Sequence, residues 1–243
     1  MKLAVLADIH GNLVALQQAI GDAKSQGIHQ FVVLGDIVMI GPDPGSVLHI
    51  IRELNPFCWI RGNTDMWFEE ISDDTDPETL TQRDRELYAY IQFAKSNMKS
   101  DEIAFLNSLP MKRTISIDAL KILCVHGSPR SVLEMMDGRR PVEELGQMVR
   151  GVTENVVLCG HSHHPYIGQV EGKAMFNVGS VGRPLDGDNS ASYGIIDLSA
   201  PKKPKFEIRR VQYSITDTVS RAKKIGFPYT EKYEKVLMNA ANS

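Results

Sequence analysis

The sequence predicts an α/β fold, and two features of its pattern support this. Short apolar runs typical of buried strands alternate with helical spacing over the first 60 residues. Such a β-α-β-α-β order is typical of a parallel sheet. Later strand patterns alternate between apolar and polar residues and are joined by short turns, which predicts a largely antiparallel second half.

The chain should begin with three strands separated by two helices. Residues 3–7 are continuously apolar, as expected of a strand buried on both faces. Apolar side chains then recur at helical spacing over residues 13–23. Strand patterns at 31–34 and 57–60 flank a second helical pattern at 47–54.

Residues 66–110 are predicted to form a small helical cap insert between two groups of strands. The insert opens with an acidic, turn-rich stretch that includes residues 73–74. Helical patterns follow at 87–94 and 103–109, with Ser100 as the predicted N-cap of the second.

Strand patterns resume after the insert and continue nearly to the end of the chain. They cover seven segments: 113–117, 120–125, 156–159, 166–170, 174–178, 192–196 and 205–211. A last helical pattern covers residues 215–224.

Composition excludes several classes of protein. The net charge of −3 provides no global basic field, so bulk nucleic-acid binding is not expected. No apolar run approaches the roughly 20 residues that a membrane span requires. Three cysteines, Cys58, Cys124 and Cys159, lie in apolar runs without a metal-ligand spacing, which predicts buried free thiols. Together with the lack of a recognisable secretion signal, these free thiols predict a cytoplasmic protein.

Polar side chains follow five predicted strands at the point where each strand ends. They are Asp8, His10, Asp36, Asn63, Asp65, His126, His161, His163 and His164. Because ligands bind outside the carboxyl ends of strands in open α/β sheets, we expect most of these side chains to meet at one edge. Each has an ordinary alternative when taken alone, such as a helix cap at Asp8 or Asn63, or a turn at Asp36.

The combination of carboxylate, amide and imidazole groups indicates metal ligation. In Asp8-x-His10 and in His161-x-His163 the two side chains lie on the same side of an extended segment. Mixed oxygen and nitrogen ligands suit Mn²⁺, Fe or Zn²⁺ better than Ca²⁺. Asp36 could bridge two ions, and ions roughly 3.5–4 Å apart are a common arrangement for phosphoryl transfer.

These motifs, in this order, resemble those of the calcineurin-like metallophosphoesterase superfamily. Within that superfamily, the chain resembles the bacterial phosphodiesterase and diadenosine-polyphosphatase-like group. Further resemblance lies in Gly41-Pro42-Asp43-Pro44, in His126-Gly127-Ser128-Pro129 and in the segment 177–182. The resemblance implies a four-layer α/β/β/α sandwich of two mixed sheets, with residues 1–243 as one metallophosphoesterase domain containing the insert.

The resemblance also implies a dinuclear site. One divalent ion would be held by Asp8, His10, Asp36 and His163, and the other by Asp36, Asn63, His126 and His161. A hydroxide bridging the ions would attack a phosphodiester or phosphoanhydride of a small phosphorylated substrate, with dinucleoside polyphosphates and other nucleotides as candidates. Asp65 would orient a ligand, with a histidine ring as the expected partner.

One departure from the family pattern concerns the proton donor. Thr64 stands where the family usually has a histidine that protonates the leaving oxygen, and a threonine hydroxyl is a poor general acid. His164 is the nearest substitute in sequence. Arg183 and Arg130 are candidate phosphate ligands, because an arginine fork pairs well with phosphate oxygens, with a surface salt bridge as the alternative for each.

The insert leaves the third strand directly after Asp65, so it should begin beside the metal site and cap it. Its rings at Trp67, Phe68 and Tyr88 could stack on a nucleobase or fill the insert's own small core.

Two other functions fit the same fold. A non-catalytic interaction scaffold should have lost ligands, whereas this chain has the whole set. A protein serine/threonine phosphatase would be expected to carry a long substrate-docking extension, and none is evident.

Overall fold

Two five-stranded sheets form the centre of the fold in the computed structural model, which describes residues 1–70, 75–200 and 202–242. The predicted acidic pair at 73–74 lies outside these residues.

Ten strands, all close to predicted segments, are found in the described part of the chain. They are β1 (Lys2–Leu6), β2 (Phe31–Val33), β3 (Cys58–Trp59), β4 (Lys112–Ile117), β5 (Leu120–Val125), β6 (Val156–Cys159), β7 (Tyr166–Val170), β8 (Lys173–Asn177), β9 (Ala191–Asp197) and β10 (Lys205–Val211).

The described helices include the five that the sequence predicts. They are α1 (Leu13–Ser25), α2 (Pro44–Leu54), α3 (Trp67–Glu70), α4 (Gln82–Ser96), α5 (Ser100–Ser108), α6 (Val142–Met148), α7 (Ile215–Lys224) and α8 (Thr230–Asn239). The predicted N-cap of α5 is wrong, because Lys99 occupies that position and Ser100 is the first helical residue.

Both sheets mix parallel and antiparallel pairs. The first has the order β10-β9-β1-β2-β3, in which β1, β2 and β3 are parallel and β9 and β10 are antiparallel to their neighbours. The second has the order β4-β5-β6-β8-β7. Its central pairs β5-β6 and β6-β8 are parallel, so the second half of the chain is less antiparallel than predicted.

The layers follow from three apolar clusters. One fills the space between the first sheet and the helices α1 and α2, a second lies between the two sheets, and a third covers the outer face of the second sheet beneath α6. This is the expected α/β/β/α arrangement. The three cysteines are buried and free, as predicted.

The segment between β3 and β4 packs on the main core. Phe68, Ile91 and Leu106 are buried in the cluster that covers the first sheet, and Trp67 packs against it. The rings of Trp67 and Phe68 therefore belong neither to a separate core of the insert nor to an exposed stacking platform.

The helix pair α7–α8 joins this segment to the rest of the molecule. The ring of Tyr90 on α4 stacks on Phe227, with centroids 5.6 Å apart, and Lys232 pairs with Glu86 at 2.6 Å. No helix in the described ranges has both the length and the apolarity needed to cross a membrane.

Candidate metal centre

The predicted ligands meet at the carboxyl ends of β1, β2, β3, β5 and β6. Backbone hydrogen bonds extend the parallel pairing past the ends of β1 and β2, from Asp8 to the Gly35 carbonyl (3.1 Å) and from His10 to the Asp36 carbonyl (2.9 Å). The loop after β6 is tied to the loop after β1, because the His161 backbone N–H donates to Asp8 Oδ2 at 2.9 Å. The two sheets thus contribute to one site.

One group of potential ligand atoms, all within 4.8 Å of one another, comes from Asp8, His10, Asp36 and His163. His163 Nε2 lies 3.2 Å from Asp8 Oδ1, and His10 Nε2 lies 3.7 Å from Asp36 Oδ2. Donor atoms about 3–4 Å apart can share one ion at the roughly 2.0–2.2 Å bond lengths of nitrogen and carboxylate ligands.

A second group, within the same limit, comes from Asp36, His126 and His161. His126 Nε2 lies 3.4 Å from Asp36 Oδ1 and 3.0 Å from Asn63 Oδ1. Asp36 belongs to both groups. The structure therefore brings together the two sets of side chains that the family resemblance implies.

The side chains of Asp8 and Asn63 do not serve as helix caps. Asn12, not Asp8, is the N-cap of α1 and accepts a hydrogen bond from Ala15. Asn63 precedes a 3-10 helix (Thr64–Met66), but its side chain makes no capping hydrogen bond.

Backbone carbonyls fix the orientation of the imidazole rings. Nδ1 of His10 donates to the Met39 carbonyl at 3.1 Å, and Nδ1 of His126 donates to the Leu34 carbonyl at 2.8 Å. Nδ1 of His163 is likewise bonded to a carbonyl, that of Arg183. In each ring the bond places a hydrogen on Nδ1 and directs Nε2 towards the cluster.

His161 uses the opposite nitrogen. Its Nε2 donates to the Leu133 carbonyl at 3.1 Å, so Nδ1 is the atom left for a ligand role.

The donor set fits a cation. Nε2 of His10 and Nε2 of His163 are 3.2 Å apart, so two lone pairs face each other and repel unless a positive charge lies between them. Asp8 Oδ1 is buried and accepts no hydrogen bond in the described part of the chain. A buried carboxylate oxygen without a partner is costly, and a metal ion would satisfy it.

The pKa values of the side chains indicate a site that favours a positive charge next to Asp36. Burial lowers the pKa of His10 to about 4, so its ring is neutral at pH 7, as ligation requires. Burial also disfavours charge on His126, but the adjacent Asp36 carboxylate outweighs it and raises the pKa to about 10, so this position favours a positive charge, which a bound metal ion would supply in place of the ring proton. Burial opposes ionisation of Asp36, yet the neighbouring His126 and His10 hold its pKa well below the usual range.

Five ligand candidates share an unusual backbone conformation. φ is positive at Asp8 (53°), His10 (47°), Asp36 (53°), His161 (62°) and His163 (57°). Residues with a side chain rarely adopt this region, and such strain is concentrated at functional sites.

Asp65 differs from its expected role. Its carboxylate accepts three backbone N–H groups, from Asp36 (2.8 Å), Ile37 (2.9 Å) and Gly62 (2.9 Å), and no histidine ring. It thus orients Asp36 through the main chain. Burial and the nearby Asp36 charge raise the pKa of Asp65 to about 7.

Gly62 allows the loop after β3 to lie close to Asp36 and His126. A Cβ at this position would overlap Asp36 Oδ1 and lie 2.8 Å from His126 Cε1.

We expect Gly62→Ala to displace the side chains of Asp36 and His126 and to weaken Mn²⁺ binding by roughly tenfold or more, as measured by calorimetric titration. Gly21→Ala is the matched control, because a Cβ at Gly21 of α1 meets nothing within 4 Å. Equal Mn²⁺ affinity in the two variants would contradict this role of Gly62.

His164 does not join the site. Its Nδ1 donates to the Ser162 carbonyl at 2.7 Å, and its Nε2 accepts from Arg139 Nη1 at 3.1 Å. Both ring nitrogens are therefore engaged outside the two clusters, and the structure does not support the predicted role of proton donor.

The two arginines differ. Arg130 forms an ion pair with Glu134 on the surface, the salt-bridge alternative, so its predicted phosphate contact is not supported. Arg183 forms no carboxylate ion pair within the described ranges, and its Nη2 donates to Asn242 Oδ1 at 3.0 Å. Burial lowers the pKa of Arg183, whereas the hydroxyl of Tyr90 and the carboxylate of Asp36 are near enough to act in the opposite direction.

The segment 177–182 supports the site, a role that sequence analysis did not assign. Ser180 Oγ donates to the Asp8 carbonyl at 2.7 Å and accepts from the Arg183 backbone N–H at 2.8 Å. A Cβ at Gly182 would overlap the Ile9 carbonyl. The glycines and serines of this segment were the available signal, because they permit such close backbone contacts.

Comparison with known proteins gives consistent matches. The model of a family described as the calcineurin-like phosphoesterase superfamily domain matches residues 1–200. An uncharacterized protein of Methanocaldococcus jannaschii is 31% identical over 98% of this chain and 92% of its own length. The phosphodiesterase YfcE of Escherichia coli K12 is 24% identical over 81% of this chain and 88% of its own.

Solved structures agree with this result. A metallophosphoesterase from Sphaerobacter thermophilus superimposes with a TM-score of 0.80 and 26% identity, and the match covers 99% of both chains. A hypothetical protein from Pyrococcus horikoshii OT3 gives a TM-score of 0.85 at 23% identity, covering 100% of this chain and 99% of its own.

Proposed function

The chain belongs to the calcineurin-like phosphoesterase superfamily and is a metal-dependent phosphoesterase, and from this premise we propose that it binds two divalent ions and hydrolyses a phosphodiester or phosphoanhydride. Mn²⁺, Fe and Zn²⁺ are the proposed metals, because the ligand candidates mix imidazole nitrogen with carboxylate and amide oxygen.

The observation that carries the proposal is the shared carboxylate of Asp36. Its two oxygens face different imidazoles, Oδ1 at 3.4 Å from His126 and Oδ2 at 3.7 Å from His10. One side chain thus reaches both ligand groups, which is the arrangement that a pair of neighbouring ions requires. When bound, two such ions supply a nucleophilic water at neutral pH and balance the charge that develops on the phosphoryl oxygens.

The chain's own residues orient the substrate. Arg183 is a half-buried residue whose charge interacts with those of Asp36 and Asp8, and no carboxylate in the described ranges forms an ion pair with it. A phosphate group entering the site would offer that fork two oxygens. The Asn242 hydrogen bond, and the bond from His163 to the Arg183 carbonyl, hold this arginine at both ends.

Thr64 limits the bonds that the site can break easily. Its backbone N–H donates to Asp36 Oδ1 at 2.8 Å, and its buried hydroxyl has no hydrogen-bond partner in the described chain. With Thr64 a poor acid and His164 engaged elsewhere, the leaving group must depart without a strong proton donor. Aryl phosphodiesters and phosphoanhydrides, including dinucleoside polyphosphates, have leaving groups of low pKa and meet this condition.

A hydrolysis panel with added Mn²⁺ tests the proposal. We expect aryl phosphodiesters and dinucleoside polyphosphates to be cleaved faster than alkyl phosphomonoesters, and chelation to remove the activity. Cyclic nucleotides and a phosphopeptide complete the panel, the latter as a test for protein phosphatase activity. Absence of metal-dependent hydrolysis across the panel would favour a scaffold and contradict the proposal.

Two substitutions at Thr64 test the leaving-group argument. Thr64→Val removes a hydroxyl that has no partner, so it should change kcat for aryl diesters by less than about twofold. Thr64→His should speed esters with poor leaving groups more than those with good ones, since general acid catalysis is typically worth roughly 10²–10⁴-fold. Melting temperatures of both variants show whether the buried position accepts the change. If the wild type already cleaves alkyl monoesters as fast as anhydrides, the argument is wrong.

A further inference from the structure

A loop beside the metal centre has polar side chains inside and apolar ones outside. This rim loop, residues 127–141, connects β5 to α6. Ser128 and Asp137 are buried, with 4% and 1% of their surfaces exposed, whereas Leu133 is 65% and Met135 is 40% exposed. Polar side chains are usually exposed and large apolar ones usually buried, so a segment that reverses both tendencies is unusual. The rim loop is such a segment.

The buried polar groups hold the loop in one conformation. Ser128 Oγ accepts the backbone N–H groups of Arg130 and Ser131, both at 3.1 Å. Asp137 accepts the backbone N–H of Arg139 at 3.0 Å and its guanidinium at 2.8 Å. The loop backbone on both sides of Leu133 and Met135 is therefore held by hydrogen bonds.

The rim loop is hydrogen-bonded to the segment that carries His161 and His163. The Leu133 carbonyl accepts a hydrogen bond from His161 Nε2 at 3.1 Å, so the Leu133 backbone contacts a residue of the second ligand group directly. The sulfur of Met135 lies 3.9 Å from Arg139 Nη2, and the same guanidinium donates to His164, which directly follows His163.

We propose that Leu133 and Met135 form an apolar subsite for an aromatic group of the phosphorylated substrate, such as an aryl ring or a nucleobase. This inference rests on the proposed function, because the subsite takes its meaning from a phosphate held at the neighbouring metals. Methionine sulfur makes favourable contacts with aromatic rings, and a leucine side chain gains free energy by burying apolar surface against one. Two side chains cover the area of one ring but fall far short of the roughly 800 Å² per partner of a stable protein interface.

Paired phosphonates test the subsite without bond cleavage. Phenylphosphonate and methylphosphonate carry the same anionic head and are titrated calorimetrically into the Mn²⁺-loaded full-length protein. We expect the wild type to bind the phenyl compound roughly tenfold more tightly, as burial of one ring predicts. Leu133→Asn and Met135→Asn should each reduce this preference by severalfold and leave methylphosphonate affinity unchanged. Met238→Asn, at a residue that is 56% exposed on α8, is the control and should keep the preference.

Each outcome separates the subsite from the activity. Loss of phenyl preference in both rim-loop variants, with the control intact, supports the subsite even if the hydrolysis panel is negative. Unchanged preference in an active enzyme overturns the subsite and leaves the activity standing. The subsite is also overturned if the wild type binds neither phosphonate. It is overturned as well if the wild type forms a concentration-dependent oligomer that Leu133→Asn dissociates, because the rim loop would then be a protein interface.

Discussion

Asp36→Asn should abolish hydrolysis while the fold survives. An amide in place of the shared carboxylate removes one negative charge from both ligand groups and replaces one oxygen ligand with an NH₂ group. Loss of about 4 kcal/mol of metal-derived charge stabilisation corresponds to a rate reduction of roughly 10³-fold. The measurements are kcat with aryl diester substrate, metal content per chain, and circular dichroism.

Asp118→Asn is a closely matched control. Asp118 has the same positive φ as Asp36, 53°, and is exposed in the turn between β4 and β5, at the opposite end of β5 from His126. This substitution should leave rate and metal content unchanged. Full activity of Asp36→Asn, or of wild type after chelation, would refute the assignment of Asp36.

Asp65→Ala should produce the largest loss of stability among the site variants. It would leave the three buried N–H groups of Asp36, Ile37 and Gly62 without their acceptor. At about 1–3 kcal/mol for each unsatisfied group, offset by partial relaxation, we expect the free energy of unfolding to fall by about 3–5 kcal/mol. For a chain of this length that corresponds to a melting temperature lowered by roughly 6–20 °C.

The same substitution should weaken metal binding, because the backbone of Asp36 is no longer held. Asp65→Asn retains one acceptor oxygen and should give an intermediate loss in both thermal melting and Mn²⁺ titration. Wild-type melting of Asp65→Ala would show that these three hydrogen bonds are unimportant. An unchanged Mn²⁺ affinity would show that Asp65 does not position Asp36.

The order of strands and helices could be predicted from the sequence because its signals are local. Continuous apolar runs marked β1 and β2, and helical spacing marked α1 and α7. Helix α8 was missed because its N-cap, Tyr229, has φ 53° and makes no side-chain capping bond, so the usual start signal is absent. Helix α6 has only seven residues, too few for a clear periodic pattern.

The sequence by itself determined which ligand types reach the rim of the sheets, since a side chain that follows a parallel strand must lie at its carboxyl end. The tertiary structure alone decided how those groups face one another. His10 and His163 are 153 residues apart in the chain, yet their Nε2 atoms are separated by 3.2 Å. The expected roles of Asp65 and His164 differ from the observed ones, since Asp65 accepts backbone N–H groups and His164 accepts from Arg139. These hydrogen-bond partners come from distant segments or irregular loops. Local pattern carries no information about such partners, since these contacts exist only after the two sheets have packed.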